Sequence, residues 1–332
     1  MKVQLREQDL SDDYLRFAAQ VGADGIDVIR PEHVPGVSEQ GYADAPGLRA
    51  LMDRVRRFGL EVYRVHPPTP GKYLLGHAGG EAELDNLCRT LEAFGRARVP
   101  YMYAPIELSH EAVYRDQFSN VGHLGIRAGV HRTGYTMLSF YLEQMRRNLA
   151  TQPPDLRIDP EAHFERSVRM YERLLPIAEA YDVRLITHPT DPPLPEAPFA
   201  PQRWARILEL VPSTHSGFLY CVGTRYETGV DVCDDIRVRG RQGKIFQVDF
   251  RNVRGTIPAS GGYAEVGLAD GDMNMARVLR ALKSVGYDGG LAVDHLPDYT
   301  GDNRYQGMAS AYAVGYVKAL IAAMEASAAA PR

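Results

Sequence analysis

The sequence predicts an α/β protein built as a (β/α)8 barrel, and two observations predict it. Strand-like and helix-like segments alternate along most of the 332 residues, the pattern of a parallel sheet with crossover helices. Several strand-like segments are apolar until their last residues and then turn polar together. KIFQVDFRNVRGT does so at Asp249, VRLITHPTDPP at His188, GFLYCVGTRYE at Cys221, and GGLAVDHLPD at Asp294 and His295. The carboxyl ends of barrel strands are where active sites are built.

The elements follow in order. Lys2 to Leu5 reads as the first strand. Asp9 to Val21 carries Leu10, Tyr14, Phe17, Ala18 and Val21 at helical spacing, with Ser11 as its cap. Gly25 to Ile29 is the second strand. Ala45 to Phe58 is a helix with Leu48, Leu51, Met52 and Val55 on one side, stopped by Gly59. Glu61 to Val65 is the third strand, Glu81 to Arg96 a helix, and Tyr101 to Pro105 the fourth strand. Residues 109–159 then lose periodicity. They are too long for a simple loop, so they read as an insertion at the barrel mouth, helical over Met137 to Leu149. Pro160 to Tyr181 is a long amphipathic helix, Val183 to Thr187 the fifth strand, and Gln202 to Leu210 a helix. Gly217 to Tyr220 and Lys244 to Phe250 are strands six and seven. Met273 to Val285 is a helix, Gly290 to Val293 the eighth strand, and Ala309 to Ala323 the closing helix. The Ala-rich end is expected to fray. No repeat or linker divides the chain, so residues 1–332 read as one domain.

Composition narrows the class. Hydrophobic content of 45% and charged content of 24% are ordinary for a globular protein. A net charge of −4 gives no general attraction to nucleic acid or an anionic membrane. The apolar runs fall short of the roughly 18 residues of a membrane span. The first residues, MKVQLREQDLSDD, lack an apolar signal core, which points to the cytoplasm. Cys88, Cys221 and Cys233 are too scattered for a disulfide framework or a CxxC zinc site.

His188, Cys221, Asp249 and Asp294 stand at the ends of strands five to eight, so a closed barrel brings them to one rim. An imidazole, a thiolate and two carboxylates can hold one divalent cation. The oxygens suit manganese or magnesium; the sulfur and nitrogen also accept zinc, iron or cobalt. The plain alternatives are an inert buried cysteine and aspartates that cap helices or pair with Arg251.

THPTDPP, the cysteine closing strand six, FRNV, DGDMNM and VDH resemble, in this order and spacing, the metal-dependent mannonate dehydratases, which are xylose-isomerase-like TIM barrels. The resemblance is continuous from about Ile158 to Ala323 and weaker in VGADGI, HVPG, YLLG and LDNLCRTLEAFG. It implies a Mn²⁺ or Mg²⁺ site and loss of water from a sugar acid to give a 2-keto-3-deoxy acid. It implies His188, Cys221 and Asp294 as ligands, His295 and Tyr305 as active-site residues, and Arg251 and Asn252 as the family's Arg-Asn pair. Asp249 departs from the family's histidine, Leu268 stands where the family has another histidine, and the arginine that follows the family's Asp-His is absent.

The mechanism expected on these grounds is removal of a proton beside a carboxylate. His295 is the general base and Tyr305 gives a proton to the departing hydroxyl. Arg251 clamps a substrate carboxylate, unless it pairs with Asp249 or Glu265. His33, His66 and Arg225, also at strand ends, line the substrate side. His110, His123 and His131 in the insertion could close over the site. A sugar isomerase or epimerase on the same barrel, and a barrel that only binds a sugar acid, are the competing functions. Tyr135, Phe140 and Tyr141 offer contacts for a homo-oligomer.

Overall fold

A computed structural model describes residues 1–106, 147, 158–188, 193, 201–297, 299 and 301–329. Among the described residues, ten strands run in chain order: β1 (Lys2–Arg6), β2 (Gly25–Val28), β3 (Glu61–Val65), β4 (Tyr101–Tyr103), β5 (Arg184–Thr187), β6 (Ser216–Cys221), β7 (Ile245–Phe250), β8 (Asn252–Arg254), β9 (Ala264–Val266) and β10 (Gly290–Val293). Eight close a barrel in the order β1-β10-β7-β6-β5-β4-β3-β2, every pair parallel. The expected barrel is therefore the observed one. β8 and β9 form a separate antiparallel pair just after β7, a feature the periodicity did not signal because each strand has only three residues.

Helices cover the outside. α1 (Asp12–Gln20) begins at Ser11, whose hydroxyl accepts from the Tyr14 amide at 3.1 Å, the expected cap. α2 (Ala45–Arg56) buries Leu48, Met52 and Val55, each worth about 1.5–3 kcal/mol over exposure. α3 (Gly80–Ala97) and α4 (Pro160–Tyr181) pack beside each other. α5 (Pro201–Leu210) sets Trp204 on Phe218, ring centroids 4.1 Å apart. α6 (Val222–Glu227) and α7 (Val232–Arg241) are helices the apolar spacing missed. α7 buries only Val232 and Ile236, too few for a periodic signal. α8 (Met275–Ser284) starts from Asn274, and α9 (Gly307–Ala329) closes the fold.

α9 runs farther than expected at both ends. Its alanines, expected to fray, are helical through Ala329, as the strongest helix former allows. Its Gly307–Ser327 stretch is long and apolar enough by composition to cross a membrane, contrary to the expectation that no run is. Ala313, Val314 and Val317 are buried in the main core, and Lys318 pairs with Asp24 at 3.2 Å, which are contacts of a barrel helix. The expected insertion at 109–159, its helix at Met137 to Leu149, its three histidines and its three aromatics lie outside the described residues, apart from 147, 158 and 159.

Besides a small cluster of Val253 and Tyr263, the core has two parts. Leu5, Leu185, Val248 and Leu291 join the helices in the main cluster. Their strand neighbours face the other way: Ile186, Leu219 and Phe246 form a second cluster with Tyr101 and Tyr103. Toward β1, β2, β3 and β7 the alternate positions carry Gln4, Arg6, Asp27, Arg64, Gln247 and Asp249 instead. All of these except Arg6 are buried, so the barrel has an apolar side and a polar side, and the polar side leads to the site.

Candidate metal centre and active site

Strand register assembles the centre. Cys221 ends β6 and lies opposite Asp249 on β7; His188 follows β5, the next strand round. Their donor atoms all lie within 4.8 Å of one another, and all three residues are buried. Cys221 is also the first turn's cap for α6. Its sulfur receives the Thr224 amide at 3.4 Å, the Thr224 hydroxyl at 3.1 Å and Nε of Arg251 at 3.2 Å. Three donors aimed at one sulfur suit a negatively charged thiolate.

A continuous ion network surrounds the trio. Arg64 reaches Asp27 at 3.2 Å and Asp249 at 2.8 Å. The Arg64 contacts are close in distance but off hydrogen-bond angles, so they act as ion pairs. Arg6 reaches Asp249 at 3.4 Å and Asp294 at 2.8 Å. Arg251 reaches Glu227 at 2.5 Å, Glu265 at 3.2 Å and Asp294 at 3.8 Å. Three guanidiniums thus face five carboxylates. Burial raises the Asp27 carboxyl, and Arg64 only partly offsets this, leaving it at about 6, still ionised at neutral pH. Burial also acts to raise Asp294, but Arg6, His295, Arg251 and Arg64 outweigh it and hold this carboxyl well below the usual range. With the thiolate counted, the excess is three negative charges, which a divalent ion would largely offset. The donor set and the charge balance fit a metal at His188, Cys221 and Asp249.

The other expected site residues are placed differently. Asp294, expected as the fourth ligand, is not in the converging trio. Its oxygens serve Arg6, Arg251 and the His295 amide at 2.9 Å. His295 is beside it, Nε2 at 3.6 Å from Asp294, with Nδ1 held by Glu265 at 2.5 Å. Its backbone sits in the left-handed region at φ 44°, a costly conformation for a non-glycine residue, and one found at functional sites. Arg251 does not present a fork to a substrate. It is 1% exposed, and besides its carboxylates and Cys221 it donates to the Thr224 hydroxyl at 2.8 Å. The alternative of a pair with Glu265 is what forms. Asn252 is likewise taken up by the fold: its amide donates to the carbonyls of Leu268 and Met273, and its oxygen accepts from the Val253 and Met273 amides. Arg225 turns to Asp235 at 2.9 Å and lies over the Trp204 ring. Tyr305 packs against Tyr14 and Phe17 of α1, its hydroxyl meeting Ser11 and Arg304, so it is not seated with His295.

His33 and His66 remain on the rim. His33 pairs with the buried Glu7 at 3.1 Å. His66 stacks on Tyr103 at 4.2 Å, and its Nε2 has no hydrogen-bond partner among the described residues. Burial, then Arg64, Arg6 and His188, drive its imidazole well below the ordinary range, keeping it neutral. Sequence reasoning missed Arg6, Asp27, Arg64, Glu7 and Glu227, and met Glu265 only as a partner for Arg251. The available signal was a charge inside an apolar run, as in VYRV and GIDV, which only a barrel interior turns into a pair.

A closed parallel barrel with an imidazole, a thiol and a carboxylate gathered at its strand ends defines a (β/α)8 barrel with a candidate metal centre. The D-mannonate dehydratase (UxuA) family model matches residues 136–330, more than half of the chain. The chain belongs to the mannonate dehydratase family. The mannonate dehydratase of Thermotoga maritima is 30% identical over 144 residues, 42% of this chain and 40% of that protein. That of Enterococcus faecalis is 31% identical over 131 residues, 37% of this chain and 36% of the relative. The matched stretch thus spans well under half the length of these relatives. Among solved structures, the mannonate dehydratase of Streptococcus suis serotype 2 shares the fold with a TM-score of 0.75 at 21% identity, over 100% of this chain and 96% of that one. D-psicose 3-epimerase from Clostridium cellulolyticum H10 shares it with a TM-score of 0.62 at 13% identity, over 96% and 99%.

Proposed function

We propose that this chain is a metal-dependent hydro-lyase that removes water from D-mannonate or a related aldonate to give a 2-keto-3-deoxy sugar acid. The observation that carries the reading is the buried His188–Cys221–Asp249 trio beside the Glu265–His295–Asp294 arrangement, in a chain of this family. The carbon acid beside a carboxylate is weak. A divalent ion at the trio, manganese or magnesium by the family's habit, supplies Lewis-acid stabilisation of the charge that develops on substrate oxygens. His295 is the base. With Nδ1 donating to Glu265, its Nε2 is the nitrogen that accepts the carbon proton. Asp294 and Glu265 hold the ring in place. His66, neutral, and His33 are placed to meet substrate hydroxyls at the rim.

The chain works as one barrel domain, its eight parallel strands closing a single barrel. Its partner is a small sugar acid. A cytoplasmic homo-oligomer that binds neither nucleic acid nor membrane fits the charge of −4 and the exposed Met308 and Tyr312 on α9.

Elemental analysis of the wild type against Cys221→Ser and Asp249→Ala, followed by product analysis on a panel of sugar acids and ketoses, tests the reading. We expect about one divalent ion in the wild type, less in both variants, and a 2-keto-3-deoxy product. Mass-neutral conversion would replace the lyase with an isomerase or epimerase, and metal occupancy without turnover would leave a binding protein.

A further inference from the structure

The three arginines of the buried network are not equivalent. The side chains of Arg64 and Arg251 are 0% and 1% exposed, whereas that of Arg6 is 25% exposed. Arg6 ends β1, and its guanidinium spans two neighbouring positions of the rim, Nη1 on Asp294 at 2.8 Å and Nη2 on Asp249 at 3.4 Å. A guanidinium has five N–H donors. These contacts occupy one on each terminal nitrogen, and Nε is a buried donor with no partner among the described residues. Such unmet capacity beside a reactive centre calls for an explanation.

Among the described arginines nearest the centre, Arg64 is fully buried against Asp27 and Asp249. Arg251 is enclosed by Glu227, Glu265, Thr224 and Cys221, and Arg225 by Asp235 and Trp204. Yet a sugar acid brings a carboxylate that must be desolvated next to Asp249 and Asp294. Without a cation facing it, that approach is repulsive.

We propose that Arg6 binds the substrate carboxylate and makes this barrel selective for sugar acids over neutral sugars of the same length; the proposal rests on the sugar-acid reading above. Asp294 and Asp249 hold the plane of its fork, so little side-chain freedom is lost when the substrate arrives. Asp249 is shared between Arg6, Arg64 and the proposed ion, so Arg6 keeps positive charge toward the mouth.

The test is calorimetric titration of the Mn²⁺-loaded wild type, Arg6→Gln and Arg6→Lys with D-mannonate and with the uncharged alditol D-mannitol, with metal content measured in each. Arg6→Gln is expected to weaken mannonate by about 10- to 100-fold, to leave mannitol within about twofold, and to retain its metal. Arg6→Lys, which keeps the charge and loses the fork, is expected to lie between. Unchanged mannonate affinity, equal losses for both ligands, or loss of metal in both variants would overturn the assignment. A wild type that takes up Mn²⁺ but binds no mannonate would instead overturn the sugar-acid reading, and the role of Arg6 with it.

Discussion

Arg64 carries a full charge in a barrel interior where most positions are apolar. It is fully buried, and its guanidinium separates the carboxylates of Asp27 and Asp249. Removing one side of such an arrangement leaves the other charges uncompensated, and that loss is larger than the net worth of the pair. Arg64→Met is therefore expected to cost about 3–5 kcal/mol in urea unfolding. A loss below about 1 kcal/mol would mean that the aspartates take up protons instead. His295 sits at the same scale but acts on chemistry. His295→Asn is expected to lower kcat about 10²- to 10⁴-fold with metal content unchanged. A parallel fall in metal content would make the imidazole a structural support for the centre. Tyr305→Phe, by contrast, is expected to leave kcat within about threefold, because its hydroxyl meets Ser11 and Arg304.

At the scale of elements, the centre depends on strand ends meeting in register and on helices packing closely behind them. α7 shows how local preference and packing can oppose one another. Gly240 lies inside that helix, where alanine is better by about 1 kcal/mol. A Cβ there would lie 2.4 Å from Cγ2 and 2.7 Å from Cβ of Val285, which follows α8. The branched atom at 2.7 Å cannot swing aside, so α7 must move away from α8. Overpacking of this kind costs about 1–3 kcal/mol and outweighs the helical gain. Gly240→Ala is expected to destabilise the protein by about 1 kcal/mol net, and Gly240→Ala combined with Val285→Ala to recover part of it. A stabilised single variant would show that the two helices separate freely.

For the whole molecule, acid stability is set by buried groups that pull in opposite directions. Asp27 titrates at about 6 in the fold against an ordinary 3.8, mainly because it is buried. The folded chain then binds more protons than the unfolded one in that window, so stability falls as pH rises from 3.8 to 6. His163 is pushed by burial from 6.5 down to about 4, while its Nε2 contacts the Ile106 carbonyl at 3.0 Å. Here the unfolded chain binds more protons, so stability is lost as pH falls from 6.5 toward 4. Between about pH 4 and 6 the Asp27 slope offsets that of His163; His66, also driven below its ordinary range by burial, adds to the loss as pH falls, and Glu7, raised by burial, opposes it. Asp294, held below the ordinary carboxylate range, adds its loss only at lower pH. The wild type is thus expected to show a shallow profile and then a steep fall. Asp27→Asn should expose the slope of the buried histidines, about 3 kcal/mol between pH 6.5 and 4 from His163 alone with His66 adding to it, in urea unfolding at several pH values. An equally shallow profile in the variant would rule out this compensation.

The sequence by itself determined the barrel, its eight closing strands and the placing of His188, Cys221 and Asp249 at strand ends, though it counted Asp294 with them as a fourth ligand. These rest on period-two and helical spacing and on polar residues placed at strand ends, all of which are local. It also marked Ser11 as a cap and His295 as the residue beside Asp294. It could not assign Arg251, Asn252, Arg225 or Tyr305, because a side chain's work depends on what faces it across the fold. FRNV reads the same whether its arginine meets a substrate or Glu227 and Glu265. The tertiary structure alone decided that Arg6 and Arg64 belong to the centre. Their partners stand far along the chain, Asp249 at 243 residues from Arg6 and Asp294 farther still, and closing the barrel is what brings opposite charges into one low-dielectric interior.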